Sequence, residues 1–202
     1  MPPYPVLVHT VTTSSTLHLY EHLTSPESPP KEKKNALIFL PGLGDGPHTI
    51  PYVRCLATSL SSLAPSYTVF EARLSSAFSA FGYASLAQDA AEIKALVGYL
   101  RKELGTQRVV LLGHSTGCQD CLEYSLKEGG EGVDGVVLQG PVSDREAILM
   151  GGGEGVETAL EVARGMVENG RGGEVLEREV LPVAWRGSPV TAYRWVSLAG
   201  VG

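Results

Sequence analysis

Apolar and polar positions follow two different periods along this chain. Four short segments rich in aliphatic residues are predicted to be β-strands, at residues 36–40, 67–72, 109–112 and 133–139. Between them apolar residues recur every three or four positions, which predicts helices at residues 51–63, 85–104 and 117–127. Residues 36–40 contain no polar position, as is typical of a strand buried on both faces of a parallel sheet. Strands that alternate with helices indicate an α/β fold with a mostly parallel, doubly wound sheet.

The helix at residues 85–104 has the strongest periodicity. Ile93 and Val97 belong to its apolar face, Asp89 and Glu92 fall at the polar positions between, and Gly105 closes it. We therefore expect an amphipathic helix that ends at Gly105.

The two ends of the chain have a different character. Residues 5–11 and 16–22 alternate around residues 12–15, which predicts an N-terminal hairpin, and a polar, proline-rich loop is expected at residues 24–34. After residue 143 glycines interrupt the pattern around a helical stretch near 154–168 and a helix start at Ser188-Pro189. We expect a single domain, residues 1–202, in which residues 1–142 form the sheet core and residues 143–202 form a cap over its carboxyl edge.

A Gly-x-Ser-x-Gly sequence lies between the strand at 109–112 and the following helix. In Gly113-His114-Ser115-Thr116-Gly117 the serine is predicted to sit on a sharp strand-to-helix turn, with its hydroxyl raised above the sheet. Glycines flank the serine because such a turn is too tight for a Cβ. The pattern predicts that Ser115 is a nucleophile, and that the Thr116 amide at the helix N-terminus stabilises an oxyanion.

A second glycine-rich turn, Pro41-Gly42-Leu43-Gly44, follows the strand at 36–40. Adjacent parallel strands end at the same edge of a sheet, so this turn and Ser115 are expected to meet there. The Leu43 amide is then the first choice for the second oxyanion donor, and Gly44 is a candidate substrate contact. The alternative is that these are two unrelated glycine turns in a nucleotide-binding type of sheet.

Several segments resemble one mostly fungal family of α/β hydrolases, long catalogued as a domain of unknown function, which includes siderophore ester hydrolases. They are residues 40–46, 113–120, 139–147 and 189–194. The resemblance implies an α/β-hydrolase fold, a serine esterase mechanism and a small-molecule ester substrate, with siderophore esters as the substrate class of some members. It implies that Ser115 is the nucleophile and that Leu43 and Thr116 are the oxyanion donors.

The order serine, acid, histidine is not completed in this chain. All five histidines (9, 18, 22, 48 and 114) precede Ser115, whereas members of the family are longer and supply the acid and the histidine from later strands. The chain is therefore expected to be C-terminally truncated and to lack the last strands of the fold.

Other candidates for the missing roles carry alternatives of their own. Asp144 occupies a position that some α/β hydrolases use for the catalytic acid, but it can equally form a local cap or an ion pair with Arg145. His48 and His114 are candidate substrate contacts, and His48 can also be an ordinary loop residue or a replacement for the missing base.

Composition and spacing exclude several other functions. A net charge of −6 argues against general binding of nucleic acid or of anionic membranes. No segment approaches the roughly 20 apolar residues that span a bilayer, and no signal peptide is recognised. Three cysteines indicate a reducing, cytoplasmic setting. Cys118 and Cys121 have the spacing of a redox pair but are expected in the core. No metal-ligand spacing and no cofactor motif is found, so none is predicted.

The sequence leaves three functions open. The first is a carboxylic ester hydrolase that acts through an acyl-serine, the second a catalytically impaired scaffold that binds a ligand or partner, and the third an acyltransferase. The aromatic residues Phe78, Phe81 and Tyr83 either line the substrate pocket or pack their loop. Because the strand at 133–139 is expected to be an edge of the sheet, a homodimer through that edge is a further prediction.

Overall fold

A computed structural model describes residues 4–12, 16–23, 35–151 and 153–200. Its six strands form one sheet: β1 (Val6–Thr12), β2 (Thr16–His22), β3 (Asn35–Leu40), β4 (Tyr67–Arg73), β5 (Arg108–His114) and β6 (Gly135–Gln139). The strand order is β1-β2-β4-β3-β5-β6. β1 and β2 pair antiparallel with their neighbours and the other pairs are parallel. The mostly parallel sheet is confirmed, while the predicted hairpin turn at 13–15 and loop at 24–34 lie outside the described residues.

The helices follow the strands in the predicted alternation. They are α1 (Tyr52–Leu63), α2 (Leu86–Lys102), α3 (Gly117–Lys127), α4 (Asp144–Met150), α5 (Val156–Glu168) and α6 (Ala192–Ala199). Two short 3₁₀ turns span Phe78–Gly82 and Val183–Trp185. The boundaries of α1, α2 and α3 lie within two residues of those that the apolar periodicity predicts.

The sheet is covered on both faces, which makes the fold doubly wound. On one face Phe39 and Val69 pack with Val53 and Ala57 of α1. The other face packs against α2 and α3 in a core that includes Ile38, Ile93, Leu111 and Tyr124. Full burial of each large apolar side chain contributes roughly 1.5–3 kcal/mol, so these two layers hold the strand ends in place.

Residues 143–200 build a hydrophobic core of their own. Trp195 and Leu160 are fully buried in it, and Phe81 from the loop before α2 joins them. The predicted helix start at Ser188-Pro189 is wrong, because α6 begins at Ala192 with Thr191 as its N-cap. The residues before it are instead held as extended chain, since the Leu176 amide donates to the Val190 carbonyl at 2.9 Å.

β6 is an edge of the sheet, as predicted. Val136, Val137 and Leu138 are 39%, 47% and 38% exposed, although the sequence pattern is that of a strand covered on both faces. None of the described helices is long and apolar enough to cross a membrane.

Candidate active site

Ser115 lies directly after β5 in a backbone conformation that is rare for any residue except glycine. Its φ is 53°, in the left-handed region that a Cβ disfavours. The Ser115 amide donates to the Gln139 carbonyl at 3.0 Å, and the Ser115 carbonyl accepts the Cys118 amide at 3.1 Å. The chain thus passes from β5 into α3 through one strained residue, and its side chain is only partly buried. Strain of this kind concentrates at functional sites.

The glycines on either side of Ser115 are required by close backbone contacts. A Cβ on Gly113 would lie 2.5 Å from the Gly117 carbonyl oxygen, and a Cβ on Gly117 would lie 2.4 Å from the Leu40 carbonyl oxygen. Both separations are well below any van der Waals contact, and the obstructing atoms are backbone. The strand-to-helix turn therefore packs directly onto the end of β3.

The turn after β3 reaches Ser115. A Cβ on Gly42 would lie 3.1 Å from the Ser115 Cβ, so the two turns are in contact. Leu43 comes next in the chain, and Thr116 is the N-cap of α3, whose first amides have no intrahelical acceptor. Within the described ranges no backbone acceptor takes the amide of Leu43 or Thr116.

A cavity of about 1060 Å³ opens above Ser115. Its floor is formed by Leu43, Ser115 and Thr116, and its walls come mainly from residues 142–186. The walls are largely apolar, with Ile148, Val156, Val162, Leu181 and Trp185 among the lining residues. A volume of this order accommodates a small organic ligand, for which pockets measure about 300–1,000 Å³.

Asp144 lines the same cavity, at the start of α4. Burial raises the pKa of its carboxyl group, and a hydrogen bond from Gln119 opposes that rise. Neither local alternative for Asp144 is what the structure shows. The N-cap of α4 is Ser143, whose Oγ accepts the Glu146 amide at 3.3 Å, and the Arg145 guanidinium donates to the Ala199 carbonyl at 2.6 Å.

Three carboxyl groups and one guanidinium surround a small polar cavity behind Leu43 and Thr116. The cavity measures about 30 Å³, room for a water molecule, and is lined by Asp89, Asp120, Asp144 and Arg194. Burial raises the pKa of Asp89 to about 6, and burial together with the neighbouring Asp89 raises that of Asp120 well above its ordinary value. Asp89 Oδ1 and Arg194 Nη1 are buried without a partner among the described residues.

Sequence periodicity does not indicate that Asp89 and Glu92, which lie between the apolar positions of α2, are buried. They are only 2% and 7% exposed, because the loop before α2 covers them. The Ser75 amide donates to Glu92 at 2.8 Å, and Ser76 hydrogen bonds to Asp89. The sequence does place two hydroxyl-bearing residues, Ser75 and Ser76, shortly before the acidic residues of α2. Only the tertiary structure shows that they hydrogen bond to those residues.

The remaining candidate residues lie outside the cavity lining. Gly44 is exposed with a φ of 77°. His114 packs away from the cavity, where it stacks on Phe39 and hydrogen bonds to Gln139 Oε1. His48 also lies outside the cavity lining, where its side chain is next to Glu71 and His22.

The cysteine and aromatic alternatives are also placed by the structure. Cys118 and Cys121 are buried free thiols, as expected, and burial raises the pKa of Cys121 to about 12. Phe81 packs edge-on against Trp185 in the second core, whereas Phe78 and Tyr83 are exposed. None of these three aromatic side chains lines the large cavity.

A family model described as "Protein of unknown function (DUF1749)" matches residues 1–202. The chain belongs to this family. The match confirms the resemblance drawn from the residues around Leu43, Ser115 and Asp144.

Curated relatives of the DUF1749 chain are fungal. It is 30% identical over 176 residues to the UPF0613 protein PB24D3.06c of Schizosaccharomyces pombe, which covers 83% of this chain and 55% of the relative. It is 31% identical over 185 residues to the fusarinine C esterase sidJ of Aspergillus fumigatus, with 78% and 50% covered. Esterase AN6793 of Emericella nidulans is 31% identical over 145 residues, with 57% and 38% covered. The chain spans about half the length of these relatives.

Solved structures confirm the fold. An α/β-hydrolase fold protein of unknown function superposes with a TM-score of 0.63 at 20% identity, covering 100% of this chain and 63% of its own. The esterase Est1E of Butyrivibrio proteoclasticus, solved with ferulic acid, gives a TM-score of 0.61 at 16% identity, with 96% and 71% covered. The DUF1749 chain therefore has an α/β-hydrolase fold.

Proposed function

We propose that this protein is a carboxylic ester hydrolase that uses Ser115 as its nucleophile. The observation that carries the proposal is the position of Ser115, which combines a left-handed φ of 53° with contact to the Gly42 turn at the floor of a large cavity. Two relatives are named as esterases, which supports the same reaction class.

The proposed chemistry follows from these positions. The Ser115 hydroxyl attacks the ester carbonyl carbon, its proton passes to a general base, and the carbonyl oxygen becomes an oxyanion. The amides of Leu43 and Thr116 donate to that oxygen. The oxyanion then collapses, the alcohol leaves with the proton, and water hydrolyses the acyl-serine by the same steps. Removal of one such amide donor costs about 10²–10³ in kcat in a serine hydrolase, so both matter.

The same chemistry also requires a general base. No histidine is among the residues that line the cavity, and the role proposed for Asp144 is that of an acid that orients a base, not of the base itself. A ligand-binding scaffold is therefore the second candidate function, favoured by that missing histidine. An acyltransferase needs the same base and has no observation of its own in its favour.

The substrate class is an extension from the relatives. Because one relative is named a fusarinine C esterase, a siderophore ester is the first substrate to assay. The apolar cavity walls favour an ester with an extended apolar part over a small, highly charged one. A cytoplasmic location is proposed only on the three unpaired cysteines.

A fluorophosphonate probe on the purified 202-residue chain separates the two candidate functions. We expect covalent labelling that is lost in Ser115→Ala and retained in Ser125→Ala, whose hydroxyl bonds to the Cys121 carbonyl on α3. Labelling that survives Ser115→Ala contradicts the proposal. No labelling, combined with saturable binding of an ester in the cavity, favours the scaffold.

A second copy of the chain is the proposed partner, paired through β6. The exposed side chains of Val136, Val137 and Leu138 and the unpaired edge of the strand support it. Light scattering after size exclusion should give a dimer that Val137→Lys dissociates. A monomer at every concentration would contradict this pairing.

A further inference from the structure

Three side chains of metal-binding type meet on the α1 face of the sheet, outside the cavity of Ser115. His22 ends β2, Glu71 lies in β4 and His48 lies in the loop after β3. One ligand atom of each lies within 4.8 Å of the other two. His22 Nε2 is 2.6 Å from Glu71 Oε1, and His48 Nδ1 is 3.2 Å from the same oxygen. Ligands of a tetrahedral Zn²⁺ ion with bonds near 2.1 Å lie about 3.4 Å apart, so small side-chain rotations suffice.

The surroundings match what such an ion requires. The side chains of His22 and Glu71 are each 2% exposed, whereas that of His48 is 34% exposed. Glu71 already accepts a hydrogen bond from the His48 amide and lies 2.6 Å from His22 Nε2, and a bound cation would add the compensating charge that a buried carboxylate favours. The two buried ligands are shielded from solvent, and the partly exposed His48 connects the cluster to solvent, from which a water could supply a fourth ligand. Two imidazoles and one carboxylate are a ligand set of zinc sites, and imidazole favours zinc over magnesium or calcium.

The rings of both histidines are already oriented. The Tyr4 ring stacks on His22 at 5.5 Å. The Tyr4 hydroxyl lies 2.9 Å from His48 Nδ1, and this hydrogen bond is given up when Nδ1 binds a metal. His22 Nδ1 is buried without a partner among the described residues, so no hydrogen bond fixes the tautomer from that side. Without a metal the Nε2 proton can be donated to Glu71. With a metal at Nε2 that proton moves to Nδ1 and breaks no existing bond there.

We propose that His22, His48 and Glu71 form a binding site for Zn²⁺. The ion ties the loop between β3 and α1 to the neighbouring strands, because His48 belongs to that loop and its amide already donates to Glu71 Oε2 at 2.7 Å. The same loop carries Leu43 at its other end. The three ligands come from separate segments, which is why no spacing motif in the sequence indicates the site.

Metal titration of the tag-free 202-residue chain tests this site directly. We expect one equivalent of Co²⁺ to bind with a visible absorption typical of nitrogen and oxygen ligands, and Zn²⁺ to displace it. Replacing a residue that hydrogen bonds to a metal ligand typically lowers the metal affinity 10–100-fold. Glu71→Gln and His48→Asn each remove a ligand itself, so they should lower the affinity for the metal by about 100-fold or more. Asparagine suits position 48 because it tolerates the φ of 68° found there.

His9→Gln is the matched control. His9 Nε2 lies 2.9 Å from Glu21 Oε2 on the same hairpin, but no third ligand joins this pair among the described residues. Zn²⁺ should raise the melting temperature of the wild type and of His9→Gln, and should leave that of the two ligand variants unchanged. If Glu71→Gln does not fold, His48→Asn alone decides, because it alters only a partly exposed loop residue.

Three results overturn the proposal. The first is no stoichiometric binding of Co²⁺ or Zn²⁺ to the wild type. The second is binding that Glu71→Gln and His48→Asn leave unchanged, or that His9→Gln weakens as strongly. The third is a thiolate-to-cobalt absorption band in the near ultraviolet, which assigns the ion to a cysteine such as the exposed Cys55.

Discussion

Replacement of Asp89 by asparagine should make the protein more stable at neutral pH, although it removes a charge that lies near Arg194. Asp89 is 2% exposed, and its burial raises the pKa to about 6 from the ordinary 3.8. The nearby Glu92 also raises the pKa of Asp89, whereas the hydrogen bond with Ser76 and the charge of Arg194 lower it. Asparagine keeps the shape of the side chain and the acceptor for Ser76, and carries no charge at any pH.

The magnitude follows from proton linkage. Because the folded-state pKa lies above the unfolded one, the stability that Asp89 contributes is present below pH 4 and is lost as the pH rises through 6. A difference of about two pH units corresponds to about 3 kcal/mol, since one unit is worth about 1.4 kcal/mol. Relative to the wild type, Asp89→Asn should therefore gain about 3 kcal/mol in the free energy of unfolding between pH 3.5 and pH 7.5.

Urea unfolding of both proteins at the two pH values measures this gain, and the difference between them cancels the titration of all unrelated groups. Asp134→Asn is a control of opposite sign. The Val109 amide lowers the pKa of Asp134, so this substitution should be most harmful at pH 7.5, and the harm should begin to decrease only as the pH falls below 3.8 toward the lowered pKa. A pH-independent effect of Asp89→Asn, or a loss of stability that grows toward pH 7.5, would refute the reasoning, because attraction to Arg194 would then outweigh the cost of burial.

Further substitutions test three individual contacts. Gly113→Ala should cost about 1–3 kcal/mol in the free energy of unfolding and reduce probe labelling of Ser115, because the new Cβ meets backbone atoms. In its control, Gly98→Ala on α2, the new Cβ meets nothing within 4 Å, so the protein should become more stable by about 0.5–1 kcal/mol. Equal effects of the two substitutions in urea unfolding would contradict this contrast. Ser85→Ala removes the cap of α2, where Oγ accepts the Gln88 amide, and should cost about 1 kcal/mol, which Ser85→Asp restores. Tyr124→Phe removes a hydrogen bond to the Glu131 carbonyl and should cost about 1 kcal/mol in the same urea assay. An unchanged free energy of unfolding would mean that water replaces this bond.

The hydrophobic pattern alone determined the order and type of the elements between residues 35 and 139. A strand such as β3 is readable because both of its faces are buried, and a helix such as α2 because its apolar face recurs at helical spacing. The turn that holds Ser115 is also local. Gly113 and Gly117 are needed by contacts within a few residues and with the end of β3, so the Gly-x-Ser-x-Gly sequence predicts its shape. The catalytic roles of Ser115, Asp144, Leu43 and Thr116 stay predictions.

Only the tertiary structure decided what packs against each polar residue. Asp89 falls between the apolar positions of its helix, and it is buried because the loop at Ser75-Ser76 and α6 cover it. The start of α6 moved to Ala192 because residues 176 and 190 hydrogen bond across a separation that no local pattern records. His22, His48 and Glu71 lie far apart in sequence and meet because β2 and β4 are neighbours in the sheet. Periodicity reports which side of an element is apolar, whereas a cluster of polar groups depends on which elements become neighbours, and that is settled by packing of the whole chain.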